Sequence, residues 1–337
     1  MNGPRQHSVV ARTRHRSGSR SLRNMRSLYM FLLCIQMAAF APVCHAKHMY
    51  QYTDAQGIVH FTDVKPGDDV KDVKATRVRT DPEPLVRTRE EGPDGDRTLV
   101  FVNSSGGPVT VELSFDEARN VRSEPPLPAR IVLAPRSDTH ALRIVATNPA
   151  AGFAYRFRYH YMPGDVHARA DPHALYRLPF PAERRLAISQ AFGGKASHGG
   201  NQNYYAVDIG MPEGTPVLAA RDGVVMTVEN DFFGAGLDMA RYGDRANNVR
   251  IVHADGTMAV YAHLELESVR VHVGDRVRAG QLLALSGDTG YTNGPHLHFC
   301  VQRNDDMELV SVPFEFTGPR GAFTPQAGMV VGGDGGP

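Results

Sequence analysis

The region that most restricts the possible folds begins near Leu186, where short apolar runs alternate with tight turns. Runs such as Asn248–His253 are rich in β-branched residues, and the pairs Asp222-Gly223 and Asp255-Gly256 are typical of hairpin turns. No clear helical periodicity interrupts them. These patterns predict an all-β domain over residues 181–317.

A second, smaller β domain is expected before it. Thr98–Asn103 and Pro108–Ser114 are strand-like, and Tyr155–Tyr161 alternates aromatic with polar residues. Short strands separated by turn residues predict a small β-sandwich-like domain over residues 98–180. Because it contains no group of side chains suited to catalysis, we expect it to act as a spacer or docking domain.

Two segments are expected to lack regular structure. Residues 81–97 are rich in proline, glycine and charge, which predicts a linker. Residues 318–337 are rich in glycine and proline and contain few large apolar side chains, which predicts a flexible tail.

The first 46 residues have the features of an export signal. They contain seven arginines and no acidic residue, followed by an apolar run over 27–43 and by Cys44-His-Ala46, with small residues at both cleavage positions. A membrane anchor is the alternative, but this run is short for the ~20 residues that span a bilayer. We expect a signal peptide over 1–46, Met25 being a second candidate start. The mature chain then has no stable membrane span and works outside the cytoplasm.

Residues 47–80 predict a small β module. Two short alternating runs flank Asp54-Ala-Gln-Gly57, a hairpin turn signal. The segment resembles the small N-terminal module of unknown function found on many exported proteins of Gram-negative bacteria. That resemblance implies the periplasm, with secretion as the alternative.

Charge content argues against nucleic-acid binding, and cysteine content limits the possible disulfides and metal sites. The whole chain has 37 basic and 36 acidic residues, and removal of residues 1–46 leaves 30 and 36, a net charge of −6. An acidic body without clustered cations is a poor partner for nucleic acid. Cys300 is the one cysteine that remains once residues 1–46 are removed. This excludes a disulfide framework and a zinc site built from several cysteines.

The densest group of reactive side chains lies in Gly294-Pro-His-Leu-His-Phe299. On a strand, His296 and His298 share one face while their apolar neighbours share the other. His263 ends another strand-like run, and Asp208 lies in an apolar stretch where an unpaired carboxylate is costly. Imidazole and carboxylate groups brought together in this way are suited to a metal ion.

At these residues the sequence resembles the lysostaphin-type, or LytM-type, zinc metalloendopeptidases that cut peptide bonds in peptidoglycan. The motifs that carry the resemblance occur in one order along residues 186–303. They are Ala206-Val-Asp-Ile-Gly210, Pro212-Glu-Gly-Thr-Pro-Val217, Ala219-Ala-Arg-Asp-Gly-Val224, Tyr261-Ala-His-Leu264, Val273-Gly-Asp-Arg-Val-Arg-Ala-Gly-Gln281, Ser286-Gly-Asp-Thr-Gly290 and Gly294-Pro-His-Leu-His-Phe299.

The resemblance implies an antiparallel β-sheet domain of the duplicated hybrid motif type, with a groove for an extended peptide. It implies that Asp208 and His298 bind Zn²⁺ and that a zinc-bound water supplies hydroxide near neutral pH. It also implies that His296 accepts the proton of this water and that His263 helps to stabilise the oxyanion. The expected substrates are peptidoglycan peptides, cut either at bonds of D-alanine and diaminopimelate or at glycine bridges.

The sequence departs from the family at the first zinc ligand, usually a histidine four residues before the aspartate. That position is Tyr204, a poor substitute for imidazole. His198, ten residues before Asp208 in a Gly- and Asn-containing segment, is the expected replacement, with His253 as the second candidate. The remaining alternative is a site with two ligands and no activity.

Three functional classes therefore compete: an active zinc endopeptidase, a catalytically weak relative that binds or activates other cell-wall hydrolases, and a lipoyl- or biotinyl-type carrier. A carrier needs a modified lysine, but Lys195 is the last lysine and precedes every motif. A regulator has no chemical need for Asp208 and all three histidines of the motifs. We therefore expect an enzyme, with Cys300 a buried small side chain rather than a neighbour of the metal.

Overall fold

The computed structural model describes residues 6–11, 48–54, 57–62, 66–67, 70–77, 84–195 and 197–333. It forms two compact units, one of Met1–Arg14 with Leu85–Pro337 and the other of His15–Pro84. Almost all regular structure is β, as the sequence predicts. The predicted signal peptide lies outside the described residues except for strand β1 (Gln6–Ala11), which belongs to the larger unit.

The described residues of the smaller unit form a three-stranded antiparallel sheet in the order β3-β2-β4. Its strands are β2 (His48–Thr53), β3 (Val59–Thr62) and β4 (Lys74–Arg77). The turn between β2 and β3 is closed by Asp54, whose Oδ1 accepts a hydrogen bond from the Ile58 amide at 2.9 Å. This is the position at which the sequence predicts a hairpin.

The larger unit begins with a sandwich of two four-stranded sheets, ordered β1-β11-β7-β9 and β5-β6-β10-β8. Its strands after β1 are β5 (Val86–Glu91), β6 (Asp96–Asn103), β7 (Val109–Arg119), β8 (Val121–Glu124), β9 (Ala129–Leu133), β10 (Ser137–Ala146) and β11 (Ala154–Pro163). Tyr155, Phe157 and Tyr159 are buried while Arg156 and Arg158 face outward. The alternation seen in the sequence therefore separates the core from the solvent-facing side of this sheet.

The linker predicted over residues 81–97 is wrong for most of its length. Val86–Glu91 is a strand that pairs with β6, and Val86 is fully buried. The charges that suggested a linker are exposed: Arg87, Arg89 and Glu91 project from one side of this edge strand, and Arg89 pairs with Asp138. Dense charge here marks the solvated face of a strand rather than a break in structure.

The rest of the larger unit is built around a nine-stranded sheet. Its main order is β20-β16-β18-β19-β23-β14-β13-β27, and β24 pairs with β23. The remaining elements are β12 (Leu175–Arg177), β13 (Leu186–Gln190), β14 (Val207–Gly210), β15 (Pro216–Leu218), β16 (Gly223–Glu229), β17 (Ala235–Gly236), α1 (Met239–Tyr242), β18 (Asn248–Val252), β19 (Met258–Ala262), β20 (Arg276–Val277), β21 (Leu282–Leu285), β22 (Gly290–Tyr291), β23 (His296–Asp305), β24 (Glu308–Ser311), β25 (Glu315–Gly318), β26 (Gly321–Phe323) and β27 (Val330–Val331).

The only helix in the described ranges, α1, is one turn long, which is too short to produce a helical periodicity in the sequence. Asp238 begins it by accepting a hydrogen bond from the Arg241 amide. Within the described part of the chain, no helix has the length and apolarity needed to cross a bilayer.

The boundary expected at residue 180 lies too late. β12 pairs in parallel with β25, and Tyr176 and Phe180 pack into the core beneath the nine-stranded sheet. The residues between β11 and β13 therefore belong in part to the second domain.

The flexible tail predicted over 318–337 is also wrong as far as the structure describes it. β27 pairs with β13, Val331 is fully buried, and the Gly333 amide donates to Ala182 O at 2.7 Å. Gly332 and Gly333 have positive φ angles of 83° and 67°. These glycines supply turn geometry at the end of a strand, so their abundance does not indicate mobility.

The hydrophobic core of the sandwich includes side chains of the second domain, which also has a separate core of its own beneath the nine-stranded sheet. Met226, Met258, Met307 and Leu309 of the second domain are buried in the same cluster as Leu113 and the other inward side chains of the sandwich. The Gly106 amide donates to Met226 O at 2.9 Å across this contact. The sandwich is thus packed into the second domain rather than joined to it by a spacer.

Candidate metal centre

Two of the expected site residues are a cross-strand pair. β14 runs antiparallel to β23, so that Asp208 lies opposite His298 and Gly210 lies opposite His296. The alternate residues, Ile209 and Leu297 among them, are fully buried in the core on the other face. Burial of the apolar face fixes the register and thereby directs the carboxylate and both imidazoles to the opposite face.

His198 reaches the same place from the segment between β13 and β14. Its side chain is completely buried, and its Nδ1–H donates to Ala191 O at 3.0 Å. Because a carbonyl oxygen only accepts, this bond leaves the lone pair of Nε2 for the site. Nε2 lies 3.2 Å from Asp208 Oδ2.

The three residues form a compact set of possible ligands. One ligand atom from each of His198, Asp208 and His298 lies within 4.8 Å of the others. Nε2 of His198 and Nε2 of His298 are both buried without a hydrogen-bond partner. Two imidazoles and one carboxylate, with orphaned ring nitrogens, form a donor set that fits Zn²⁺.

The electrostatics of Asp208 also favour a cation. Burial acts to raise its pKa, but the interactions with His198 and His298 outweigh burial and hold the pKa well below its ordinary value. The pKa of His198 is raised because the interaction with Asp208 outweighs the lowering effect of burial. The carboxylate therefore remains ionised although it is buried.

Gln190 is a neighbour of the site that sequence reasoning missed. It lies opposite Asp208 on β13, and its Nε2 donates to Asp208 Oδ2 at 2.8 Å. A partner of this kind orients a ligating carboxylate. No local pattern marks Gln190, because its position depends on which strand pairs with β14.

His296 and His263 lie beside this set. Their ring centroids are 4.5 Å apart, and His296 Nε2 is 3.7 Å from Asp208 Oδ1. His296 Nδ1 donates to Gly294 O at 2.8 Å, and His263 Nδ1 donates to Thr289 O at 2.7 Å. Main-chain carbonyls therefore place the proton of both rings on Nδ1 and leave Nε2 able to accept.

The state of His263 restricts its chemistry. It is a buried residue with a positive φ of 64°, a strained conformation of the kind found at functional sites. Burial, with the charges of His296 and His298, lowers its pKa to about 3. A neutral ring with its proton on Nδ1 cannot donate from Nε2, so His263 can stabilise an oxyanion only after Nε2 has gained a proton.

The other candidates have different surroundings. Tyr204 is 47% exposed, and its ring packs on Tyr205. His253 donates from Nδ1 to Asp222 O at 2.7 Å and packs against Tyr176, away from Asp208. Cys300 is fully buried, and its Sγ contacts Gln202 O at 3.5 Å.

Two families match parts of the chain. Residues 202–308 match Peptidase family M23, and residues 37–93 match a domain of unknown function, DUF4124. The first match contains Asp208, His263, His296 and His298, whereas His198 precedes it.

Similar proteins cover the same region. The glycyl-glycine endopeptidase ALE-1 of Staphylococcus capitis is 39% identical over 97 residues, which are 29% of this chain and 24% of ALE-1. The peptidoglycan DD-endopeptidase ShyA of Vibrio cholerae is 32% identical over 123 residues, 36% of this chain and 26% of ShyA. The solved catalytic domain of lysostaphin from Staphylococcus simulans is 28% identical, with 42% of this chain and 89% of that domain covered and a TM-score of 0.27. The match thus spans about a quarter of the length of these curated relatives.

Proposed function

We propose that this chain, whose residues 202–308 form a domain of Peptidase family M23, is a zinc-dependent endopeptidase that hydrolyses peptide cross-links of bacterial peptidoglycan. The observation that carries the proposal is the buried set of His198, Asp208 and His298, with Nε2 of both histidines unpartnered. His296 and His263 stand beside this set with Nε2 able to accept a proton.

His198, Asp208 and His298 would hold the metal. A bound Zn²⁺ lowers the pKa of its water to about 7 and polarises a carbonyl oxygen. His296 Nε2 accepts a proton from the attacking water and returns it to the leaving amine, while Gly294 O holds the ring in the required tautomer. His263 is held neutral with its proton on Nδ1, so its Nε2 can accept a hydrogen bond from the same water and orient it. Donation to the oxyanion, the role that the resemblance implies, would need a proton on Nε2, which a pKa of about 3 disfavours.

The substrate class follows from the relatives and from the predicted export signal. ShyA is named for peptidoglycan DD-endopeptidase activity and ALE-1 for glycyl-glycine endopeptidase activity. The predicted signal peptide and the N-terminal module, which overlaps the DUF4124 match, favour action in the periplasm of a Gram-negative cell. We therefore favour peptides that contain D-alanine and diaminopimelate over glycine bridges.

Digestion of purified sacculi tests the proposal, with the released fragments identified by mass spectrometry. We expect cross-linked peptides to be converted to uncross-linked ones by cleavage at D-alanyl bonds, with loss of this activity in a metal chelator and recovery on addition of zinc. The Asp208→Ala variant is the inactive control, and a pentaglycine peptide tests the other bond. A zinc-loaded protein that cleaves neither substrate would contradict the proposal and leave the regulatory alternative.

A further inference from the structure

The segment that carries His198 has no regular structure, yet it holds this side chain completely buried. Its main chain is fixed by residues that are distant in the sequence. Gln202 O accepts from Gln302 Nε2 at 2.9 Å, and Asn201 O accepts from both the amide and the hydroxyl of Ser311 at 2.8 Å. The position of His198 therefore depends on strands β23 and β24.

Gln302 is the more central of these two anchors. It is fully buried on β23, and by alternation it shares the face of His296, His298 and Cys300. Its side-chain amide has a donor and an acceptor, and both are used: Nε2 donates to Gln202 O, and Oε1 accepts from Arg250 Nη1 at 2.7 Å. One side chain thus connects the loop of His198 to strand β18.

Arg250 decides which way this amide points. A guanidinium group only donates, so the side-chain oxygen of Gln302 must face Arg250 and its NH₂ group must face the loop. Arg250 is buried, and no ion pair to it occurs among the residues that the structure describes. Its guanidinium group donates a hydrogen bond instead to the neutral side-chain amide of Gln302.

We propose that Gln302, oriented by Arg250, is a positioning residue of the metal centre. It touches no ligand, but it fixes the main chain at Gln202 so that His198 Nε2 is presented to Asp208. Ser311 is a second anchor, because its hydroxyl accepts from the Tyr205 amide at 3.0 Å and donates to Asn201 O. The proposal rests on the proposed function in that His198 is taken as a ligand.

The isosteric variant Gln302→Glu distinguishes loss of the anchoring hydrogen bond from loss of overall stability. A carboxylate still accepts from Arg250 and compensates the buried charge, so the protein without metal should unfold at the same temperature or higher. The same carboxylate cannot donate to Gln202 O and repels it. We expect zinc affinity, measured by competition with a chelating dye, to fall by about 10–100-fold.

Asn304→Asp is the matched control. Asn304 is also fully buried on the same face of β23, but its Nδ2 donates to Gly164 O at 3.2 Å, away from the loop. The same chemical change there should leave zinc affinity unaltered. Ser311→Ala should weaken zinc binding, since it removes the second anchor.

Amide hydrogen exchange of residues 197–205 without metal gives a readout that needs no zinc. We expect faster exchange in Gln302→Glu than in the parent protein or in Asn304→Asp. Unchanged exchange and zinc affinity in Gln302→Glu, or equal losses in both variants, would overturn the proposal. Failure of the parent protein to bind zinc would instead contradict the proposed function, and faster loop exchange would still support the anchor.

Discussion

Asp208 and His298 face each other across two antiparallel strands, with His298 Nδ1 2.9 Å from Asp208 Oδ1. The pair is held by strand register rather than by a loop. A slip of one residue between β14 and β23 would turn the carboxylate toward the core and expose Ile209. The packing that stabilises the sheet therefore also assembles this part of the site.

We expect ligands and catalytic groups to respond differently to mutation. We expect Asp208→Ala and His298→Ala to lose bound zinc, because each removes a donor from the buried set. His296→Ala should keep zinc and lose activity by about 10²–10⁴-fold, the usual contribution of proton transfer. Metal analysis and peptide hydrolysis of the three purified variants test the difference. Equal loss of zinc in all three would show that His296 is itself a ligand.

The identity of the third ligand is tested by His198→Ala. We expect loss of tight zinc binding, because two protein ligands remain where a zinc site needs three or more. Tyr204→Phe is the control: Tyr204 occupies the usual ligand position of the family, but it is about half exposed, so zinc affinity should not change. His253→Gln should also keep zinc. The assignment fails if zinc binding survives in His198→Ala and is lost in His253→Gln.

His253 predicts a dependence of stability on pH. Burial lowers its pKa to about 4, whereas the unfolded value is about 6.5. Between these values the unfolded chain binds the additional proton, so the free energy of unfolding should fall as the pH is lowered from about 6.5 to about 4. The contribution of this group is roughly 3 kcal/mol at neutral pH, and it is lost in that window.

Urea denaturation of the parent protein and of His253→Gln across this range measures the effect. The variant retains a side-chain donor for Asp222 O but has no group that titrates there. We expect its stability to depend less steeply on pH. Parallel curves for the two proteins would show that His253 is not the group responsible.

The packing of second-domain side chains into the sandwich core predicts that the sandwich and the second domain unfold together. Met258 is fully buried in the cluster that contains the sandwich side chains. Met258→Ala should therefore cost about 2–5 kcal/mol of unfolding free energy and lower the transition of both parts. Met239→Ala, at a position 61% exposed, should change stability by less than about 0.5 kcal/mol. Two calorimetric transitions, only one of them shifted by Met258→Ala, would contradict this expectation.

The sequence predicts the features that depend on local pattern. Alternation along Gly294–Phe299 places His296 and His298 on one face, and the short runs and turns predict a β architecture. His198 is predicted because a zinc site needs a third protein ligand, not because a sequence pattern marks it. The structure places its Nε2 3.2 Å from Asp208 Oδ2. Whether it binds metal stays a prediction.

Features that depend on strand order could not be predicted. Gln190 and Gln302 act through neighbours on other strands, and single residues on a strand do not reveal which strands pair. The linker and tail predictions failed because composition was treated as mobility. Charge at 86–91 covers the outside of an edge strand, and glycine near residue 332 provides positive φ angles.

The packing of second-domain side chains into the sandwich core affects how the two domains can be inherited. A recombination event that moved residues 181–317 to another gene would carry Met226, Met258, Met307 and Leu309 without the side chains that cover them. The product would present an apolar patch to water and tend to aggregate. Selection should therefore keep the sandwich and the second domain together as a single heritable block, whatever other modules are gained or lost around them.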